Sequence, residues 1–455
     1  MSSVILVPFR GPGAGVSDLS WGQQEIWTAM QVQESSLAGG SVAPMAAGQD
    51  IDYAASLLGY LMSRYPSFRT RLRFAADGKV EQVLADHGEA QLHIVDAADE
   101  EDPEQTAWTV RDDYVKTVFD YVNEWPIRMA VVRHRGLPTY LVAVHCHLAL
   151  DAGGFRTVAA ALAKFPDVDM ADQESATQDA LAQVRWQQSA AGERQHATVA
   201  RHWRRLLGKV ATHRFGHTDD EQSPRHWRVT CDSPSAHVAM RAIAERLGQP
   251  DTSPVLMAAV AMALAQVTGV DPTVLQVIVN NRFRADLATT VSPVAQSALC
   301  AISVDGRTFD GVVERAWRSL MSAYLNAYYD PHKMDELIAE MGRERGADLD
   351  LDCFFNDRRD QPRREYTGPP PTEAELNAAS GKTTLNWGPH LDAPAPRFYV
   401  HVLDTPNTIE LIIFADTRYL PPSDIAKFLT QFENILVEAA FNSTAPTLTP
   451  ATGRP

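Results

Sequence analysis

Eleven successive apolar residues, 255–265, stand directly behind Pro254 and limit the possible folds more than any other stretch of the chain. The run is too short to cross a bilayer, which takes about 20 residues. A helix that is apolar all round must therefore be buried on every side by other elements of a layered core. Pro254 suits the first turn of such a helix, where its missing N–H costs nothing. At 455 residues the chain exceeds a single core of usual size, so two lobes are expected. With 45% hydrophobic and 22% charged residues, it reads as a soluble globular protein. The formal net charge of -16 argues against nucleic-acid binding, which needs a cationic surface. Cys146, Cys231, Cys300 and Cys353 form no CxxC pair and read as small core residues in a reducing compartment. The apolar stretch 4–9 is too brief for a signal-peptide core, and a cytoplasmic location is expected.

Helices and strands alternate along the whole chain. Ser20 and Gln23 have the spacing of a capping box at the start of a helix. A second helix spans 54–65 and stops before Pro66, and 68–74 alternates as a strand does. Strands are expected at 127–132 and 140–147, then a helix from Phe155 and a long polar helix ending at Leu207. The segment 208–225 reads as the connection between a first lobe, 1–207, and a second, 226–442. In the second lobe a helix at 236–247 closes at Gly248, and the buried helix follows Pro254. Strands at 273–279, 398–403 and 410–414 and a helix at 309–328 complete it. Residues 357–396 read as a long charged loop, and 443–455 as a disordered tail.

The chemistry is concentrated in 144–154, where Val144, His145, Cys146 and His147 lead through Asp151 to Ala152, Gly153 and Gly154. On a strand His145 and His147 share one face and Cys146 takes the other. Three readings stand at this point. The histidines are hydrogen-bonded core residues, or one is a general base, or His145, His147 and Asp151 ligate a metal. No further ligand stands at a supporting spacing, so no metal is expected. Ala152, Gly153 and Gly154 would let a substrate approach the backbone closely. Gly381, Lys382 and Thr383 lack the first glycine of a phosphate loop, with Leu376 in its place, so ATP binding is not expected.

His147-x-x-x-Asp151 resembles the HHxxxDG motif of nonribosomal peptide synthetase condensation domains, in the chloramphenicol-acetyltransferase-like superfamily. Other segments resemble that family in the same order. Leu19-Ser20 with Gln23 and Trp27 is similar to LSxxQxxxW, and Arg64 with Phe68-Arg69-Thr70 to RHExLRT. Trp125-Pro126-Ile127-Arg128 resembles the PLR segment, and Trp203 to Leu207 the WRxxL helix end. Asn281-Arg282 with Val291-Ser292-Pro293 is similar to the NR and VGP segments, and Phe354-Phe355-Asn356 to the FNY region. The resemblance covers about 17–440. It departs from the motif at Cys146, in place of the first histidine, and at Ala152, in place of the glycine.

This resemblance implies a mixed α/β fold of two acetyltransferase-like lobes forming a V with a tunnel between them. It implies an acyltransferase joining a carrier-bound acyl or aminoacyl thioester to an amine or hydroxyl acceptor. His147 would be the catalytic residue. Asp151 would pair with Arg128 to support the active-site loop, and Asn281 and Arg282 would line the tunnel or join the lobes. No bound cofactor is implied; the acyl group would arrive on the phosphopantetheine of a partner carrier protein. Arg201, Arg204 and Arg205, or Arg358, Arg359, Arg363 and Arg364, are candidates for meeting that carrier. The chain shows no adenylation or carrier segment, and the run 37–41 reads as a loop, so a free-standing enzyme is expected. Cys146 and Ala152 motivate a second reading, a catalytically silent module that recruits partners to a carrier-bound peptide. A third is an acyltransferase using coenzyme A thioesters.

Overall fold

A computed structural model describes residues 3–165, 180–220, 222–248, 251–305, 308–359, 369–388 and 394–445. The chain divides into two compact units, Met1–Gln195 with Asn280–Gln296, and His196–Val279 with Ser297–Pro455. The first division thus falls at 195/196 rather than within 208–225, and the segment 280–296 returns to the first unit. Sequence gave no sign of this return, because composition does not change across it.

The first unit opens with β1 (Ser3–Arg10), β2 (Gly15–Asp18), α1 (Trp21–Val32), β3 (Gly39–Pro44) and α2 (Ile51–Arg64). It continues through β4 (Thr70–Phe74), β5 (Val80–Leu84), β6 (His87–Ala97) and α3 (Pro103–Lys116). The hairpin β7 (Ile127–His134) and β8 (Leu137–His145) then leads to α4 (Ala152–Leu162) and α5 (Ala180–Gln187). Its main sheet has the order β1-β6-β7-β8-β3, with β6 and β7 parallel and the other neighbours antiparallel. A small sheet, β2-β5-β4, stands beside it. Ile127 and Met129 of β7 turn toward α2, while Ala130 and Val132 turn toward α3, so the sheet is covered on both faces. Ser20 and Gln23 form the expected capping box, and α2 ends one residue before Tyr65 and Pro66. Residues 39–44 are strand rather than loop.

α6 (Ala190–Leu207) begins before the division, and β9 (His226–Ser233), α7 (Pro234–Leu247), α8 (Ser253–Thr268) and β10 (Thr273–Val279) follow. After 280–296 come β11 (Gln296–Ile302), α9 (Phe309–Leu325), α10 (Pro331–Arg345), β12 (Cys353–Asp357) and α11 (Glu373–Ala379). β13 (Thr384–Trp387), β14 (Phe398–Thr405), β15 (Thr408–Asp416) and α12 (Pro422–Ala439) complete the second unit. Its sheet has the order β11-β10-β12-β14-β15-β9-β13. The apolar run behind Pro254 is α8, buried from Ser253 to Gln266 and packed with α9 and α12 in the largest core. Gly248 closes α7 in the left-handed region at φ 58°, as its position implied.

Three expectations change. The polar helix expected to run to Leu207 is broken at Gln188 and Ser189, where the Ser189 hydroxyl bonds the Trp186 carbonyl and the Gly192 N–H. The segment 357–396 holds α11, capped reciprocally by Thr372 and Glu375, and β13, paired with β9. Within that segment, Arg363 and Arg364 lie outside the described residues. The tail is ordered as far as Ala445, whose carbonyl accepts from Phe309; residues 446–455 lie outside the described residues. No described helix is long and apolar enough to cross a membrane.

Gly22 of α1 shows how closely the returning segment packs. A Cβ there would lie 2.3 Å from the carbonyl oxygen of Pro293, a backbone atom with no rotamer to give way. Gly22→Ala is expected to lower stability by about 1–3 kcal/mol in denaturant unfolding, the usual range for overpacking. Gly59→Ala in α2, where the nearest atom is 3.5 Å away, is expected to hold or raise stability. Equal behaviour of the two variants would contradict this packing.

Candidate active site

The motif begins where β8 ends. The strand stops at His145, and His147 to Ala149 form a turn, so His145 and His147 are not two steps of one strand. The turn is held from below: Cys146 N–H donates to Pro126 O, at 3.0 Å, and His147 N–H to Ser36 O, at 3.3 Å. Ser36 is fixed in turn by Tyr121 Oη and by the Phe119 N–H, each 2.9 Å from its hydroxyl. Nothing in the sequence marked Ser36, because a lone serine after a helix carries no periodic signal. His147 is half-buried.

Cys146 is buried in the α3-side core with Leu19, Met30, Val144 and Leu148, its Sγ 3.8 Å from Ser36 O. Burial pushes its thiol up to about 12, so it is no nucleophile near neutral pH. His145 stacks on Phe155, with ring centroids 6.0 Å apart, and its edge meets Gly39, where a Cβ would be 3.2 Å away. Burial, and secondarily the neighbouring His147, hold the His145 imidazole down to about 4.

Asp151 is the N-cap of α4 and one of the most fully engaged groups in the molecule. Its Oδ1 accepts from Gly154 N–H at 2.8 Å and from Arg282 at 2.7 Å. Its Oδ2 accepts from Arg282 at 2.9 Å and from the N–H groups of Val294 and Ala295, both at 3.0 Å. Burial pushes this carboxyl up, but the Arg282 guanidinium and the Gly154 and Val294 N–H groups outweigh it and hold it below the usual range. Arg282 also donates to Thr290 O and Ser292 O, at 2.8 and 3.1 Å. Asn281 turns the chain at φ 56° and bonds Val294 O at 2.8 Å.

The partner of Asp151 is therefore Arg282, not Arg128. On β7, Arg128 pairs in register with Val144, whose side chain faces the α3 layer. There Arg128 takes Glu124, at 2.6 Å, and the carbonyls of Tyr114, Thr117 and Val118, with its guanidinium 3.8 Å over Phe119. Side-chain direction along β7, invisible to motif spacing, decides the pairing. The glycines also acquire a different reason. A Cβ on Gly153 would lie 2.3 Å from Arg282 Nη1, so the space before Gly153 holds the guanidinium. Gly154 is buried against Leu150, and Ala152 is exposed. Among the described residues no group of His, Cys, Asp and Glu has the disposition of a metal site.

Of the arginines considered for carrier docking, Arg204 is committed to Glu340 and Glu344 and Arg359 is buried on Asp357. Arg201, Arg205 and Arg358 are exposed.

The family model for the condensation domain matches residues 14–368. The chain belongs to the condensation-domain family. Its fold is similar to a condensation domain that mediates chain release from the enacyloxin polyketide synthase, with a TM-score of 0.69 at 17% identity over 98% of this chain and 86% of that one. It is also similar to the SgcC5 protein from Streptomyces globisporus, with a TM-score of 0.68 at 16% identity over 94% and 100%. The X-domain from teicoplanin biosynthesis gives a TM-score of 0.68 at 17% identity over 94% and 96%. No curated protein matches the sequence.

Two predictions follow from these contacts. Asp151→Asn and Arg282→Met are each expected to cost about 3–5 kcal/mol, because each strands a buried partner. Their double-mutant cycle should show strong coupling, whereas Asp151 and Arg128 should be additive within about 0.5 kcal/mol. A cycle with the opposite pattern would restore Arg128 as the partner. The second concerns acid. His145 is neutral in the folded chain down to about pH 4, while the unfolded chain takes up that proton near 6.5. Its contribution to stability is thus present above 6.5 and lost as pH falls toward 4, at no more than about 1.4 kcal/mol per pH unit. His145→Gln should flatten the fall in unfolding free energy across this window, and an unchanged slope would count against a desolvated His145.

Proposed function

We propose that this protein is an acyltransferase of the condensation type. It joins a carrier-bound acyl or aminoacyl thioester to an amine or hydroxyl acceptor, in nonribosomal peptide or related natural-product biosynthesis. The observation that carries the reading is the division of labour within the motif. The Cys146 thiol is pushed out of the useful range, and Asp151 is taken up by Arg282 and three backbone donors. His147, in the turn ahead of α4, is left as the motif group of the type that exchanges protons near neutrality. Membership of the family supports the same choice, since His147-x-x-x-Asp151 resembles the family motif with His147 in the place of its second histidine.

In this reading the acceptor nitrogen or oxygen lies against His147 and attacks the thioester carbonyl carbon. The new C–N or C–O bond forms as the C–S bond breaks. The proton lost by the acceptor passes by way of the imidazole to the departing thiolate, which leaves as the phosphopantetheine thiol. Holding the two reactants together supplies several kcal/mol of the barrier reduction. Asp151 and Arg282 act by positioning, since α4 and the segment 280–296 rest on them. Carrier proteins are the expected partners, and no bound cofactor is needed.

His147→Ala is expected to lower the rate of thioester aminolysis by about 10²–10⁴-fold, with folding and carrier binding retained. An unchanged rate would sink the proposal. Cys146 and Ala152 favour one other reading, a recruiting module without turnover, and the teicoplanin X-domain has been described in complex with OxyB. Tight carrier or partner binding with no turnover of any thioester would select that reading.

A further inference from the structure

The sheet of the second unit has two differently used faces. One packs on α7, α8 and α12 through Val229, Phe398, Val400, Ile413 and their neighbours. On the other, α6 and α10 cover β10 and β11 through Trp203, Leu207, Met334 and Leu337. Beyond β10 that second face carries Phe354 on β12, Tyr399 and His401 on β14, Phe414 on β15 and Arg228 on β9, all half-buried. Strand register places Phe354, Tyr399, Phe414 and Arg228 in one row across the four strands. His401 stacks on Tyr399, with centroids 4.2 Å apart, and takes Phe414 edge-on at 5.6 Å.

Two nitrogens on this aromatic row have no hydrogen bond among the described residues. Arg228 Nε and His401 Nδ1 are both buried without a hydrogen bond. Arg358, exposed just past β12, has its backbone N–H on Val402 O and no ion pair among the described residues. Burial, and then the charges of Arg358 and Arg228, hold the His401 imidazole down to about 3. Asp232 and Glu410 share the face, but neither is within ion-pair distance of Arg228 or Arg358. The rings meet at mixed angles, with Phe354 tilted by 41° to Tyr399 and Phe414 edge-on to His401. This aromatic row, beside two arginines with no ion pair among the described residues, suits an aromatic ligand bearing negative charge.

We propose that this face of the second unit is a binding site for a small aromatic carboxylate. The aryl ring packs against the row formed by Phe354, Tyr399 and Phe414, and the carboxylate sits beside His401 toward Arg228 and Arg358. The site is built wholly from the second unit, so it holds whether or not His147 transfers an acyl group.

Isothermal titration calorimetry of the full chain with 3-phenylpropanoate and its uncharged analogue 3-phenylpropanamide tests this. The acid is expected to bind about tenfold or more tightly than the amide, and propanoate, without a ring, more weakly than either. Arg228→Gln and Arg358→Gln should each weaken the acid several-fold and leave the amide unchanged. Arg358 is exposed, so its variant reports even if Arg228→Gln does not fold. Equal affinity for acid and amide, no measurable binding of either, or an acid affinity unchanged in Arg358→Gln would overturn the proposal.

Discussion

The Asp151–Arg282 pair governs the geometry of the first unit. Burying a carboxylate and a guanidinium costs several kcal/mol per ion unless the remaining lone pairs and protons are satisfied. Here they are: Arg282 binds the carboxylate through two nitrogens, and three backbone N–H groups complete it. Each contact also fixes a piece of chain. Gly154 N–H starts α4, Val294 and Ala295 end the returning segment, and Arg282 closes that segment on itself through Thr290 and Ser292. Gly153 must lack a side chain because the guanidinium stands there. A carboxylate bound this completely has no role left as a base, which is why the proposed chemistry rests on His147.

The residues beside His147 are set by burial more than by charge. Cys146 lies in the apolar layer under α3, and the thiol is inert there. A histidine at this position would bring two ring nitrogens into a layer of Leu19, Met30 and Val144, each needing a partner. Cysteine brings one weak donor, and Ser36 O meets it. The departure from the family motif is therefore accommodated by packing. His145 is desolvated against Phe155 and Gly39, so it stays neutral and adds no positive charge beside His147.

Features governed by local chemistry were legible in the sequence. The Ser20–Gln23 box, the stop before Pro66, the left-handed Gly248 and the buried α8 each depend on neighbours within a few residues. Mixed α/β architecture followed from alternation alone. What was not legible depended on direction or on distant chain. Arg128 and Arg282 are both single cations near a motif, and only the facing of β7 sends one to Glu124 and the other to Asp151. The break at Ser189 and the helix and strand inside 369–388 lacked apolar periodicity strong enough to mark them. Asn280–Gln296 joins the first unit through contacts more than a hundred residues away in sequence, such as Arg282 on Asp151.

The arginines of the second unit separate into two kinds by the same reasoning. Arg214 is buried on Asp350 and on the carbonyls of Asp350 and Val274, and Arg397 adds a second cation to that carboxylate at 2.6 Å. Arg359 is buried on Asp357, which also accepts from Ser253 at the start of α8. Arg225 and Arg246 each hold an aspartate, Asp416 and Asp310. These ion pairs pin helices and strand ends, as buried cations must when the fold supplies their counter-charge. Arg228 differs from these: it is half-buried, it stands at the end of a row of aromatic rings, and among the described residues no carboxylate forms an ion pair with it. In the proposed site that cation is the group that would meet a carboxylate from outside the chain.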